Sequence, residues 1–354
     1  MRLFIVATSQ LAIPQSIMHA KIMDMLRSCA HCKEAQPIIV GDDFSEAQLC
    51  DYQGIEGVTT QSFKEARQFI KQVSNAIVLH FGTELDKSKS FPSFFIPITV
   101  PNALQEVWML KRLLIQRKFK QCLQNASAIL CTNDWVLDIL QVKYPEFASK
   151  FLPVYLPNVP PAQFEWQELS AAKELVSDGN SYFLAFAPVE RFTAILKEFS
   201  IFKKWQLTTM HLVFIFDTQK QVDTALAQLN GYKFKQSISI HLANDLNLAW
   251  LAATYAILWE GVDCSKSVWV EYATQYDIPL LFDSNMGLPA TWLKAGEVFS
   301  FAEKQALSNH FKLYYKDEVY RQSRASMGKD WLIQLNEQRA NLDLFNKIVL
   351  SLNK

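Results

Sequence analysis

Short runs of Val, Ile, Leu and Phe return along the whole chain, separated by longer segments whose apolar residues fall at helical intervals. A strand covered on one face alternates apolar with polar residues, whereas a strand covered on both faces is apolar throughout. The unbroken runs therefore restrict the fold to an α/β class, with parallel sheets and helices packed on either side. Strands are expected at Leu3–Ala7, Pro37–Val40, Ala76–His80, Phe94–Val100, Ala128–Thr132 and Val154–Leu156. A second series is expected at Tyr182–Ala187, Leu212–Phe216, Ser237–Leu242, Tyr255–Trp259, Pro279–Phe282 and Val298–Phe301. The scheme runs twice, so the pattern describes two doubly wound units.

At 354 residues the chain suits two domains of roughly 100–200 residues each, each able to bury its own core. The segment Leu156-Pro157-Asn158-Val159-Pro160-Pro161 carries three prolines, which cannot donate to a ladder and which stiffen an extended connector. The expected division is a Rossmann-like domain over 1–160, a second over 161–330, and a closing helix over 331–354 that packs back on the first domain.

Lys plus Arg and Asp plus Glu both number 35, so no global field collects nucleic acid, and no nucleic-acid partner is expected. With 50% hydrophobic and 20% charged residues, long disorder is excluded. The opening MRLFIVATSQ reads as a buried first strand rather than a signal peptide, because its apolar run ends at Thr8 and Ser9 before any cleavage-like site. No stretch reaches the roughly 18 uninterrupted apolar residues of a membrane span. Six irregularly spaced cysteines fit reduced thiols. These features together imply a cytoplasmic location, soluble or peripheral to the inner face of the membrane. Residues 107–120 join an apolar stripe of Val107, Leu110, Leu113 and Leu114 to Lys111, Arg112, Arg117, Lys118 and Lys120. Such a segment is either a solvated helix packed on its sheet or a peripheral contact with an anionic lipid surface.

The chain has no G-x-G-x-x-G after a strand, no G-x-x-x-x-G-K-[ST], no G-x-S-x-G and no H-E-x-x-H. P-loop nucleotidases, standard dinucleotide dehydrogenases, serine hydrolases and zinc proteases are disfavoured accordingly. Cys29-Ala30-His31-Cys32 resembles half a metal site, but structural zinc needs four ligands and no second pair follows, so no metal is expected. His80 ends the strand Ala76–His80, where open parallel sheets present functional groups; a hydrogen-bonded structural histidine is the alternative. Arg191 follows the strand ending at Ala187, where a guanidinium could clamp a diphosphate or simply face solvent.

The most informative tract is Trp259-Glu260-Gly261-Val262-Asp263-Cys264-Ser265-Lys266-Ser267-Val268-Trp269-Val270-Glu271-Tyr272-Ala273, with Asp277-Ile278-Pro279-Leu280-Leu281 after it. A strand ends in an acidic loop, a helix opens, and Glu271 follows Asp263 by eight positions. Carboxylates so placed could each take a hydroxyl pair of one polyol ligand. The tract resembles the E-x7-E region of retaining glycosyltransferases of the GT-B fold, family four, where an acid, a short loop and a helix with the second acid precede G-[VI]-P-V-[IV]. Ser127–Asn133, Tyr144-Pro145, Leu156-Pro157-Asn158, Tyr182-Phe183-Leu184 and Glu198–Lys204 resemble further family segments in order, and the likeness covers roughly 126–330.

The resemblance implies two Rossmann-like domains facing across a cleft, the GT-B architecture. It implies transfer of a sugar from a nucleotide diphosphate sugar to a glycan or lipid-linked glycan acceptor with retention of configuration. Asp263 would contact the sugar hydroxyls, Glu271 the ribose and Arg191 the diphosphate, with no metal and no cofactor besides the donor substrate. His80 would act from the first domain. The sequence departs from the family at Ser9–Pro14, where a Gly-rich loop is usual. It departs again at Phe192 and Thr193, where a lysine and asparagine are expected, and at Asp263, where the usual acid is Glu. Glu260 competes with Asp263 at a different spacing, and Ile98-Thr99-Val100-Pro101 lacks a histidine that many members carry. These departures suit a rival reading, a catalytically silent GT-B homologue that binds or scaffolds in glycan assembly; a sugar-nucleotide epimerase of the same architecture is a third.

Overall fold

The computed structural model describes residues 2–7, 22, 36–41, 50, 52–54, 58–70, 72, 76–81, 93–97, 109–154, 163–260, 266–285 and 288–339. The chain divides into two compact units, Met1–Val159 with Asn336–Lys354, and Pro160–Leu335.

In the first unit, β1 (Arg2–Ala7), β2 (Gln36–Val40), β3 (Thr59–Gln61), β4 (Ala76–Phe81), β5 (Ser93–Phe95), β6 (Ala128–Cys131) and β7 (Phe151–Pro153) form one sheet in the order β3-β2-β1-β4-β5-β6-β7. Every pair is parallel, and the order grows outward in both directions from β1 and β4, which makes the sheet doubly wound. Helices α1 (Phe63–Ile70), α2 (Met109–Asn125) and α3 (Asp134–Lys143) supply crossovers, since parallel strands cannot be joined by a tight hairpin. Helix α1 buries Ala66 and Ile70, four residues apart, against Ile38 and Val40 of β2 and Val78 of β4. Helix α2 buries Ile115, Phe119, Cys122 and Leu123, the stripe of an amphipathic helix, and Phe119 meets Phe95 edge-on at 5.4 Å. Lys150 donates to the carbonyls of Leu123, Gln124 and Ala126, groups that the end of α2 leaves without helical partners.

In the second unit, β8 (Tyr182–Phe186), β9 (His211–Phe216), β10 (Ile238–Leu242), β11 (Ala256–Trp259), β12 (Leu280–Asp283) and β13 (Glu297–Phe299) form a sheet in the order β10-β9-β8-β11-β12-β13. All its pairs are parallel too. The helices are α4 (Trp166–Ser177), α5 (Phe192–Trp205), α6 (Gln219–Gln228), α7 (Leu248–Ala252), α8 (Ser267–Gln275), α9 (Ala306–Lys316) and α10 (Glu318–Arg339). Every residue of β8, β9, β11 and β12 is buried, as strands covered on both faces must be. The aromatic content is spent here: Phe183 of β8 stacks on Phe311 of α9 at 4.3 Å, and Phe202 of α5 packs edge-on to both at 5.7 and 5.9 Å. Such pairs add roughly 0.5–1.5 kcal/mol each beyond the area they bury.

Three expectations need correction. The last strand of the first unit is Phe151–Pro153 rather than Val154–Leu156, and the strand expected over Phe94–Val100 is Ser93–Phe95, with 98–100 outside the described residues. The edge strand Thr59–Gln61 was not expected, because an edge position with partly exposed side chains leaves no apolar run. The final helix begins at Glu318, not at Trp331, and is described to Arg339. Cys29-Ala30-His31-Cys32 lies outside the described residues. Among the described residues no helix is long and apolar enough to cross a membrane.

Gly296 precedes β13 in extended backbone, so its role is close approach, not an unusual dihedral angle. A Cβ there would stand 2.5 Å from the Leu280 carbonyl oxygen and 2.7 Å from the Leu280 Cβ. Gly296→Ala is therefore expected to push β13 off β12 and to cost about 1–3 kcal/mol, the usual range for overpacking. Urea denaturation checks this, and an unchanged midpoint would show that β13 can retreat freely.

Candidate functional site

Because every strand of the second sheet runs the same way, all its carboxyl ends meet one edge, where open α/β sheets bind ligands. Three strands end alike, in an aromatic residue followed by an acid: Phe216-Asp217 after β9, Trp259-Glu260 after β11 and Phe282-Asp283 closing β12. The central strand β8 ends in Phe186 and continues through Ala187-Pro188 into a 3-10 turn, Val189–Arg191, that opens α5. The Arg191 N–H donates to the Pro188 carbonyl at 3.0 Å, closing that turn.

Arg191 reaches the neighbouring strand end. Its Nε lies 2.9 Å from Glu260 Oε1, and its guanidinium stands 5.5 Å from the centre of the Phe301 ring. The Glu260 N–H donates to the Phe186 carbonyl at 2.9 Å, so the β8–β11 ladder holds this carboxyl in place. Glu260 is 1% exposed and Asp283 2% exposed. The other Glu260 oxygen, Oε2, has no hydrogen-bond donor among the described residues; the Asp283 carboxyl is a neighbour of Glu260, and two carboxyls can hydrogen-bond only through a proton. Burial pushes the Glu260 carboxyl up to about 7, with Arg191 opposing the rise and Asp283 adding to it. Asn285 donates from Nδ2 to Asp283 Oδ1 at 3.3 Å.

On the opposite flank of β8, Lys266 Nζ lies 2.9 Å from Asp217 Oδ1 and 5.6 Å from the centre of the Phe186 ring. The lysine is 5% exposed. It stands immediately before Ser267, the first residue of α8, whose buried run from Ser267 to Thr274 includes Glu271 at 7% exposure. The edge thus carries two cations, each held by a carboxylate of a strand beside β8.

The four residues singled out from the sequence are distributed as follows. Arg191 is at this edge, and Glu271 is buried in the helix that follows its β11 loop. Asp263 falls in 261–265, outside the described residues. His80 belongs to the first unit, 5% exposed near the end of β4, its carbonyl accepting from the Ile96 N–H at 2.8 Å. Sequence reading missed Asp217, Lys266 and Asp283, and took Glu260 only as a competitor of Asp263. The aromatic-acid pair closing three apolar runs was the signal that could have found the acids. Among the described residues no group of three His, Cys, Asp or Glu could hold a metal ion.

No protein-family model matches the sequence, and no curated protein matches it. Solved structures do. HepE of Anabaena, crystallised with UDP and glucose, superposes with a TM-score of 0.62 at 11% identity, over 96% of this chain and 98% of that one. A glycosyltransferase from Rickettsia africae gives 0.62 at 12% identity, over 99% and 97%. A putative UDP-N-acetylglucosamine 2-epimerase from Listeria monocytogenes gives 0.57 at 11% identity, over 94% of each chain. The fold is therefore that of the GT-B glycosyltransferases, two Rossmann-like domains in one chain.

A carboxyl whose proton the fold holds more tightly than the unfolded chain makes stability fall as pH rises, from the ordinary value of 4.5 to about 7, because the unfolded chain releases that proton first. The slope is about 1.4 kcal/mol per pH unit for one group, an upper bound. Glu260→Gln removes it, so the variant should gain on the wild type by roughly 1–3 kcal/mol between pH 5 and 7.5. Urea midpoints at the two pH values test this; parallel pH curves for both proteins would place the Glu260 proton elsewhere.

Proposed function

We propose that this protein is a glycosyltransferase that takes a sugar from a nucleotide diphosphate sugar, binding the donor at the carboxyl edge of its second sheet. The observation that carries the reading is Arg191, part exposed at that edge with its Nε 2.9 Å from the buried Glu260 carboxyl. A guanidinium so oriented suits an anionic ligand, since its fork matches phosphate oxygens. In sugar transfer the glycosidic carbon becomes cationic as the leaving phosphate oxygen gains charge, so a fixed cation at that oxygen lowers the barrier. The UDP bound by HepE supports a uridine nucleotide as the first donor to try.

In this reading Glu271 holds the ribose and Asp263 contacts the sugar hydroxyls, with His80 acting from the first domain. Transfer retains configuration, and the acceptor is a glycan or a lipid-linked glycan. The lipid-linked choice draws on α2, where Leu113 and Leu114 are 56% and 59% exposed one turn from Arg117 and Lys118, a face suited to the inner surface of a membrane. A second reading, a sugar-nucleotide epimerase, has its support in the Listeria monocytogenes fold-mate. It differs in needing no acceptor and releasing no free diphosphate.

Thermal shift with UDP, GDP and their sugars is the direct test. A ligand at 100 times its Kd should stabilise the protein by about 2.7 kcal/mol. Arg191→Ala and Glu271→Ala should each shrink that shift severalfold. Acceptor-dependent release of UDP identifies a transferase, acceptor-free turnover an epimerase, and binding without turnover a silent homologue. Stabilisation by no nucleotide would overturn the proposal.

A further inference from the structure

Among the described residues, three lysines have ammonium groups drawn inward, and they are partnered differently. Lys150 gives its hydrogen bonds to three carbonyls at the end of α2. Lys203, 5% exposed, donates to the carbonyls of Thr208 and Met210 at 2.5 and 3.0 Å. Both tie chain segments together through neutral acceptors, the pattern of a structural lysine. Lys266 is as buried as Lys203, yet it pairs with a carboxylate, Asp217, where the other two bind neutral carbonyls.

Position supplies the reason. Asp217 ends β9 and Glu260 ends β11, the two strands that flank β8. Lys266 therefore stands on one side of the β8 end, against Phe186, and Arg191 on the other, against Glu260. Asp217 keeps its side chain 36% exposed while the lysine keeps only 6%. The carboxylate thus faces water and the ammonium is held under it. An anion entering at the β8 end would meet positive charge from both flanks.

We infer that Lys266 is a second cation for the donor diphosphate, binding phosphate oxygens from the β9 side of the β8 end while Arg191 binds from the β11 side. This rests on the nucleotide-sugar reading above. Asp217 then competes with the phosphate for the ammonium.

Titration calorimetry with UDP, at fixed pH and salt, decides the matter. Lys266→Met should weaken UDP binding about 10- to 100-fold, the range expected for one charge-assisted contact, and Lys266→Arg should recover part of it. Asp217→Asn should tighten UDP binding, since it removes a negative charge beside the phosphate. A purely structural ion pair predicts the reverse, with Asp217→Asn and Lys266→Met losing affinity together; that result, or wild-type affinity in Lys266→Met, would overturn the inference. Should Lys266→Met fail to fold, the direction of the Asp217→Asn change decides alone. Wild-type protein that binds UDP with no effect of Lys266 would leave the donor reading standing, whereas wild-type protein that binds neither UDP nor GDP would remove the reading itself.

Discussion

A carboxyl group that ends a buried strand has to find a cation or keep its proton, and Glu260 does some of each. Its Oε1 lies against Arg191, and the Asp283 carboxyl is a neighbour. Because the Glu260 N–H is bound to the Phe186 carbonyl, the position of this carboxyl is set by the register of β8 with β11, not by its own torsions. Arg191 Nε lies against that carboxyl, so the guanidinium is oriented without a ligand. Preorganisation of this kind makes a cation effective for charge that develops during a reaction, since no reorientation is needed at that moment. The charged edge is thus a property of the sheet, and altering the sheet would move it.

The stability to carry these charges comes from elsewhere in the same unit. The strands that end in Asp217, Glu260 and Asp283 are built of Phe, Leu, Ile, Val, Ala and Trp, all buried. Phe183, Phe202 and Phe311 join β8 to α5 and α9. At the amino edge of the sheet Lys203 is bound to backbone carbonyls, while the carboxyl edge holds Arg191 and Lys266 against acidic side chains.

Much of this was legible in the sequence, for reasons that differ by element. Strands buried on both faces announced themselves, since Ala128–Cys131 or His211–Phe216 have no polar residue to interrupt the run after their first position. Thr59–Gln61 did not, because an edge strand owes its place to backbone pairing with Ile38, Ile39 and Val40, which leaves no mark in side-chain type. The shift from Val154–Leu156 to Phe151–Pro153 arose because two apolar stretches abut and only the pairing with Ile129–Cys131 chooses between them. Arg191 was found by its place after a strand. Lys266 was passed over because the loop was read through acid spacing, and charge pairing across strand ends is a relation between residues far apart in sequence. Structures at 11–12% identity share the fold, so the fold tolerates replacement of most side chains and the edge residues must be argued one by one.

Charge at the edge links the separate observations. With Arg191 and Lys266 positive and Asp217, Glu260 and Asp283 all ionised, the five groups sum to a net negative charge, which would oppose a dianion. One proton on Glu260 brings the sum to zero. A buried carboxyl that titrates near 7 sits at the point where that proton is held or released by small changes in its surroundings. Negative charge placed beside Arg191 would draw the proton on, and the proton would in turn ease the entry of that charge. In the nucleotide-sugar reading proposed above, ligand charge and carboxyl protonation would be one equilibrium.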